Sequence, residues 1–159
     1  MDKRSFTAQV MAKEQTLYRV ARTLLKSNED CRDALQEAVL KAWASRHTLR
    51  DDRLFATWLT RILINVCKAM RRGQRKYILL PEVKAEAAYD APDPCVREAL
   101  DRLPEKQRLP IVLHYMEGYS LKEVASMLRL PESTLRGRLY QARQALKLSL
   151  DDEKEDQSK

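Results

Sequence analysis

Ser133, Arg136, Gly137, Tyr140 and Arg143 recur every three or four residues along one candidate helix, with Arg138 and Lys147 beside them. Between residues 129 and 147 stand five basic residues and one acidic one. A helix with such a face can enter the major groove, where a guanidinium reads guanine and hydroxyl groups make secondary contacts. The solvated cationic side of a helical hairpin would show the same pattern, and spacing alone leaves both open.

A second stripe lies in the first half of the chain. Thr57, Arg61, Asn65, Lys68 and Arg72 repeat at helical spacing opposite an apolar face. Asn65 can hydrogen-bond a base edge, and the cations can hold phosphates. Trp58 stands near the stripe, where its ring could stack on an unpaired base. The polar loop 47–53 would lie beside it and could wall a pocket for an extruded base. The alternative makes Trp58 a core residue and the stripe ordinary solvent surface.

A third face belongs to the helix before that one. Asp33, Gln36, Glu37 and Leu40 fall at i, i+3, i+4 and i+7, an acidic and amide surface with one leucine. It suits a basic partner helix, and it also resembles any solvated helix face.

Catalysis finds no footing in these residues. His47 and His114 have no partner in sequence, and no phosphate-binding loop occurs. Cys31, Cys67 and Cys95 are odd in number, far apart and without CxxC spacing. Reduced thiols are therefore expected, with neither a disulfide framework nor a metal site, and no cofactor is implied.

These faces need helices to carry them. Phe6, Val10, Leu17, Val20, Ala21, Leu24 and Leu25 repeat near the 3.6 period. Ser27-Asn28-Glu29-Asp30 breaks that run and caps a helix over 29–46, which should bury Cys31, Leu35, Ala38, Val39, Ala42 and Trp43. A third helix over 54–73 should bury Phe55, Leu59, Ile62, Leu63, Val66 and Met70, with Gly73 as its stop. Residues 76–94 hold Pro81, Pro92 and Pro94 among alanines and acids, which marks a flexible linker.

The second block starts near Cys95. Val96, Ala99, Leu100 and Leu103 form its first stripe, and Leu103-Pro104-Glu105 opens the next helix with proline in the first turn. Ile111, Val112, Leu113, Tyr115 and Met116 continue that helix, and Pro110 should kink it or shift its start. Ser120-Leu121-Lys122-Glu123 is a capping box. The helix behind it, inner face Leu121, Val124, Ala125 and Leu128, meets the turn Arg129-Leu130-Pro131 and then a helix over 132–149. Leu135, Leu139, Ala142 and Leu146 form the inner side of that last helix, and the pair matches a helix-turn-helix.

Composition agrees with this division. The fold class expected is all-α, two small helical domains at 1–75 and 95–150 joined by the 76–94 linker, with 151–159 a disordered acidic tail. Only three glycines occur in 159 residues, too few for a turn-rich β chain. The net charge is +7, and residues 1–75 alone carry sixteen Lys and Arg against eight Asp and Glu. Such an excess draws a polyanion such as nucleic acid, or serves solubility alone. The charged N-terminus does not resemble a signal peptide and no apolar run nears a membrane span, so a cytoplasmic protein is expected.

Taken together, these residues resemble the extracytoplasmic-function (ECF) group of bacterial RNA polymerase sigma factors, from about residue 10 to 148. Asp33-Ala34-Leu35-Gln36-Glu37, followed by Lys41-Ala42-Trp43, is similar to the group's polymerase-docking helix. Phe55-Ala56-Thr57-Trp58-Leu59-Thr60-Arg61-Ile62, ending in Asn65, resembles the helix that melts and reads the −10 element. Leu103-Pro104-Glu105-Lys106-Gln107-Arg108, Glu117-Gly118-Tyr119-Ser120, Glu123-Val124-Ala125, Thr134-Leu135-Arg136-Gly137-Arg138-Leu139 and Ala142-Arg143 resemble the −35-reading module. Five pieces in the right order make the resemblance specific.

The resemblance implies a non-enzymatic factor that binds core RNA polymerase, through the clamp coiled coil of its largest subunit, and promoter DNA. Asp33, Gln36, Glu37 and Leu40 would dock on polymerase. Thr57, Trp58, Arg61, Asn65, Lys68 and Arg72 would serve the −10 element, and Ser133, Thr134, Arg136, Gly137, Arg138, Tyr140, Gln141 and Arg143 the −35 element. The group also implies an anti-sigma factor as partner, and the chain itself would not insert into a membrane. Gly137 and Gln141 stand where relatives often have serine and arginine, which leaves the preferred −35 sequence open. Cys31 and Arg32 replace the usual alanine and acid, so that end of the docking face is less negative. The alternative function is a stand-alone helix-turn-helix regulator that binds duplex operator DNA.

Overall fold

Ser27 accepts a hydrogen bond from the Asp30 backbone N–H at 3.0 Å, and Glu29 and Asp30 place negative charge at the same helix start. That cap opens the helix on which the first half of the protein is built. The structure, a computed structural model, describes residues 1–74 and 93–157. The linker assigned to 76–94 therefore lies almost wholly outside the described residues; Asp93 and Pro94 already belong to the next helix start. The chain divides into two compact units, residues 1–90 and 91–159.

The first unit has four helices: α1 Lys3–Ala12, α2 Glu14–Leu24, α3 Asn28–Ala44 and α4 Phe55–Gln74. The single apolar stripe expected before Ser27 is thus two helices, parted at Lys13, whose φ of −109° and ψ of 4° leave the helical region. Helices α2, α3 and α4 pack on one another in turn. The side that α3 buries is made of small residues, Cys31, Ala34, Ala38 and Ala42. Small side chains let the neighbouring helices come close while Leu17, Val20, Leu59, Leu63 and Ile64 fill the space between. Leu35, Val39, Trp43, Ile62 and Met70, expected in the core, are only half-buried. Helix α4 passes through Gly73 to Gln74, so this glycine does not stop it.

The second unit begins at Asp93, whose carboxylate accepts from the Cys95 N–H at 2.8 Å and caps α5 Pro94–Asp101. Then come α6 Glu105–Ile111, α7 Leu121–Leu128 and α8 Glu132–Gln157. Helices α5, α6 and α7 each pack on α8, around Leu100, Leu109, Leu113, Val124, Leu135 and Leu139. Pro104 is the N-cap of α6 rather than a member of its first turn. Pro110 lies inside α6, fully buried, and removes one backbone donor. The helix does not break there. It continues to Ile111 and widens into a π-helical turn over Val112–Met116, where the Glu117 N–H reaches back to the Val112 carbonyl at 2.9 Å.

Leu121, Leu128 and Leu146, expected on inner faces, are only half-buried. The structure also corrects Val96, expected on an apolar stripe, and Tyr115 and Met116, expected to continue the helix after Pro104. Val96, Tyr115 and Met116 are exposed, because the widened turn and the short α5 direct them outward. Helix α8 also runs past 149 to Gln157, so the backbone of the acidic segment is helical there. No strand occurs among the described residues. Among them, no helix is long and apolar enough to cross a membrane.

Candidate nucleic-acid and partner interfaces

Helix α8 is positioned by what precedes it. At Gly118 the backbone takes a φ of +79°, a left-handed conformation that glycine adopts without steric cost. The chain then enters α7 through the reciprocal cap: Glu123 N–H donates to Ser120 Oγ at 3.1 Å, and Ser120 N–H donates to Glu123 Oε2 at 2.8 Å. Arg129 ends α7 at φ 55° and ψ 48°, and the Leu130 N–H closes the turn on the Ala125 carbonyl at 3.0 Å. Pro131 and Glu132 follow directly into α8, completing a helix-turn-helix.

The turn leaves one side of α8 buried through Leu135, Leu139 and Ala142. Ser133, Thr134, Arg136, Gly137, Tyr140, Gln141 and Arg143 are all exposed on the remaining surface, and Arg138 is half-buried at its margin. Tyr140 is 59% exposed, far more than an aromatic ring needs to be for packing. A Cβ at Gly137 would meet nothing within 4 Å, so no packing demand explains this glycine. Arg136 reaches Glu132 at 3.8 Å in a surface pair that a phosphate could replace.

In the first unit α4 offers a mixed face. Asn65 and Arg72 are exposed, while Thr57, Trp58, Arg61 and Lys68 are half-buried. Trp58 is neither core nor free surface, since its ring tilts against Phe55 with centroids 5.9 Å apart. The preceding loop is built from two one-turn 3-10 helices, Arg46–Thr48 and Asp52–Leu54. Asp51 accepts from Arg53 through both carboxylate oxygens, with Arg53 Nη2 at 3.0 Å and Nε at 3.2 Å from each oxygen. Those hydrogen bonds hold the Asp51 carboxyl below the usual carboxylate range. Leu54, expected at the start of the third helix, closes the second one-turn helix and is exposed.

On α3 the arrangement is simple. Asp33, Gln36, Glu37 and Leu40 are exposed together on the side opposite Cys31, Ala34, Ala38 and Ala42. Leu40 is 64% exposed, and Glu37 pairs with Lys41 at 3.2 Å one turn on. The sets expected on α3 and α4 each fall on one side of their helix, while the α8 set spreads over the surface that Leu135, Leu139 and Ala142 leave unburied. Tyr115, missed as a surface residue, carries a hydrogen bond from Arg143; its place in an apolar run hid it.

A capped helix-turn-helix with an exposed basic face, and a second helical unit with its own cationic stripe, define a two-module DNA-binding protein. The Sigma-70 region 2 family model matches residues 10–77, and the Sigma-70 region 4 model matches residues 94–146. The ECF RNA polymerase sigma factor SigM of Mycobacterium tuberculosis is 33% identical over 153 residues, covering 91% of this chain and 76% of the relative. The ECF RNA polymerase sigma-E factor of Escherichia coli is 30% identical over 137 residues, covering 74% of this chain and 72% of the relative. The structure of CnrH in complex with the cytosolic domain of CnrY superposes with a TM-score of 0.72 at 26% identity, covering 95% of this chain and 90% of that one. The sigma factor RpoE of Bartonella quintana, solved with the anti-sigma factor NepR, shares the fold at a TM-score of 0.80 and 23% identity, covering 92% and 97%. The chain belongs to the ECF group of RNA polymerase sigma factors.

Proposed function

We propose that three exposed faces divide the work of promoter-specific initiation among the two units. Asp33, Gln36, Glu37 and Leu40 on α3 grip the clamp coiled coil of the largest polymerase subunit. Asn65, with Thr57, Trp58, Arg61, Lys68 and Arg72 around it, captures an unstacked base of the −10 element against the 47–53 loop. Ser133, Thr134, Arg136, Gly137, Arg138, Tyr140, Gln141 and Arg143 meet the −35 duplex in the major groove. The 76–94 segment joins the two.

The observation that carries this reading is the presence of both sigma-70 regions, in order, in one chain. A regulator acting alone on duplex DNA needs only the second. Sigma factors are not enzymes, and RNA synthesis belongs to the polymerase they bind. We place the protein in the cytoplasm because its partner works there. An anti-sigma factor that covers the α3 and α4 faces is the regulator this reading calls for; RpoE of Bartonella quintana was solved with the anti-sigma factor NepR, and CnrH with the cytosolic domain of CnrY.

The test is a gel shift on promoter DNA with and without core polymerase, run for the native chain and Glu37→Lys. Tight, specific binding is expected only with core enzyme, and Glu37→Lys should lose core binding while keeping its helical circular dichroism. Tight binding to duplex DNA without polymerase would favour a stand-alone regulator. Normal core binding by the variant would remove the α3 assignment.

A further inference from the structure

Arg143 Nη1 donates to the Tyr115 hydroxyl at 2.8 Å, linking α8 to the widened turn after α6 across 28 residues of chain. Tyr115 is 53% exposed, and Arg143 is exposed on the side of α8 that also carries Arg136 and Tyr140. The turn beneath Tyr115 is well held. His114 Nδ1 lies 2.7 Å from the Tyr119 carbonyl oxygen, which can only accept, so that nitrogen carries the proton. The His114 ring then meets the Tyr115 ring edge to face at 4.8 Å.

A phenol that accepts from a guanidinium keeps its own O–H to donate, and the guanidinium keeps further N–H donors. Among the described residues neither side chain makes another polar contact. Two adjacent groups, one cationic, thus present free donors to solvent from one point beside the DNA-facing helix. Converging donors, one of them carrying a positive charge, are the chemistry that holds a phosphate oxygen.

We infer that Tyr115 and Arg143 together anchor one backbone phosphate of the duplex held by α8. Tyr115 orients the guanidinium and adds a donor of its own. This rests on the reading of the α8 face given above, and it assigns Arg143 to register rather than to base recognition.

The test uses the full chain with core polymerase on a promoter selected from a random library. Native protein, Tyr115→Phe, Arg143→Gln and the double variant are compared for open-complex formation on the parent −35 element and its single-base variants, at several salt concentrations. Tyr115→Phe keeps the ring, and thermal melting checks its fold. It should lower complex formation about three- to tenfold, by the same factor at every −35 variant and without changing the salt slope. Arg143→Gln should lower it further and reduce the salt slope by about one, with the double variant close to Arg143→Gln alone. A neutral methylphosphonate at the contacted phosphate should erase the difference between Tyr115→Phe and native protein. Native behaviour of Tyr115→Phe beside an impaired Arg143→Gln would overturn the anchor. So would a change of preference confined to one base pair. A silent Arg143→Gln would overturn the reading of the α8 face as well.

Discussion

The ring of Phe6 in α1 stands edge to face against Trp43 of α3, centroids 5.1 Å apart and planes at 65°. The same ring meets Phe55 of α4 at 5.5 Å and 89°. One residue near the chain start therefore ties the first helix to both helices that carry the proposed polymerase and −10 faces. The Arg46 guanidinium covers Trp43 at 3.8 Å and donates to its carbonyl at 2.7 Å, which keeps the tryptophan in place.

Phe6→Ala should destabilise the first unit by about 3–5 kcal/mol, the usual cost of emptying a buried phenylalanine site. Urea unfolding followed by tryptophan fluorescence checks this, since Trp43 and Trp58 both lie in that unit. A loss below about 1 kcal/mol would mean that α1 is not part of its core.

Cys31 and Cys67 are buried, and burial outweighs the nearby arginine charge that favours thiolate, from Arg22 and Arg71 respectively. Burial pushes Cys31 up from 9.0 to about 11, with Arg22 opposing, and Cys67 up to about 12, where the nearby Cys31 adds to the effect. Both raised values mean that the folded state holds the thiol protons more tightly. Their contribution to stability is fully present below pH 9 and is lost as pH rises from there toward 11 and 12. Iodoacetamide at pH 8 should leave Cys31 and Cys67 unmodified in the native protein and label both in urea, read by mass spectrometry. Native labelling at the unfolded rate would contradict the burial.

Gly118 and Gly137 should respond to alanine with opposite signs. At Gly118 the positive φ makes any side chain strained, so Gly118→Ala should cost about 1–2 kcal/mol. Gly137 sits in mid-helix with open space around it, so Gly137→Ala should add about 1 kcal/mol to the second unit. Thermal melts of the two variants decide the matter. A glycine that weakens its helix with no packing reason is consistent with the −35 duplex approaching the backbone there, and Gly137→Ala should then shift −35 preference despite its greater stability.

Much of this was legible in the sequence because helices announce themselves by period and caps. The Ser120 and Glu123 pair, the Ser27 cap and the faces of α3 and α8 follow from spacing alone. Less legible were features that depend on where a helix meets its neighbours. Lys13 has no proline or glycine to mark a break, so α1 and α2 read as one stripe. Tyr115 and Met116 look like core in a line of apolar letters, and only the widened turn after Pro110 turns them outward. Likewise, the half-burial of Trp58 and Arg61 reflects how α4 packs in three dimensions, which a helical wheel does not contain.

Initiation by a reconstituted polymerase on a randomised promoter library tests the central claim most directly, using native chain, Asn65→Ala and Arg136→Ala in parallel. Expected are transcripts from promoters sharing two sequence blocks, with Asn65→Ala relaxing the downstream block and Arg136→Ala the upstream one. Transcripts from no promoter, or unchanged preference at both blocks in both variants, would contradict it.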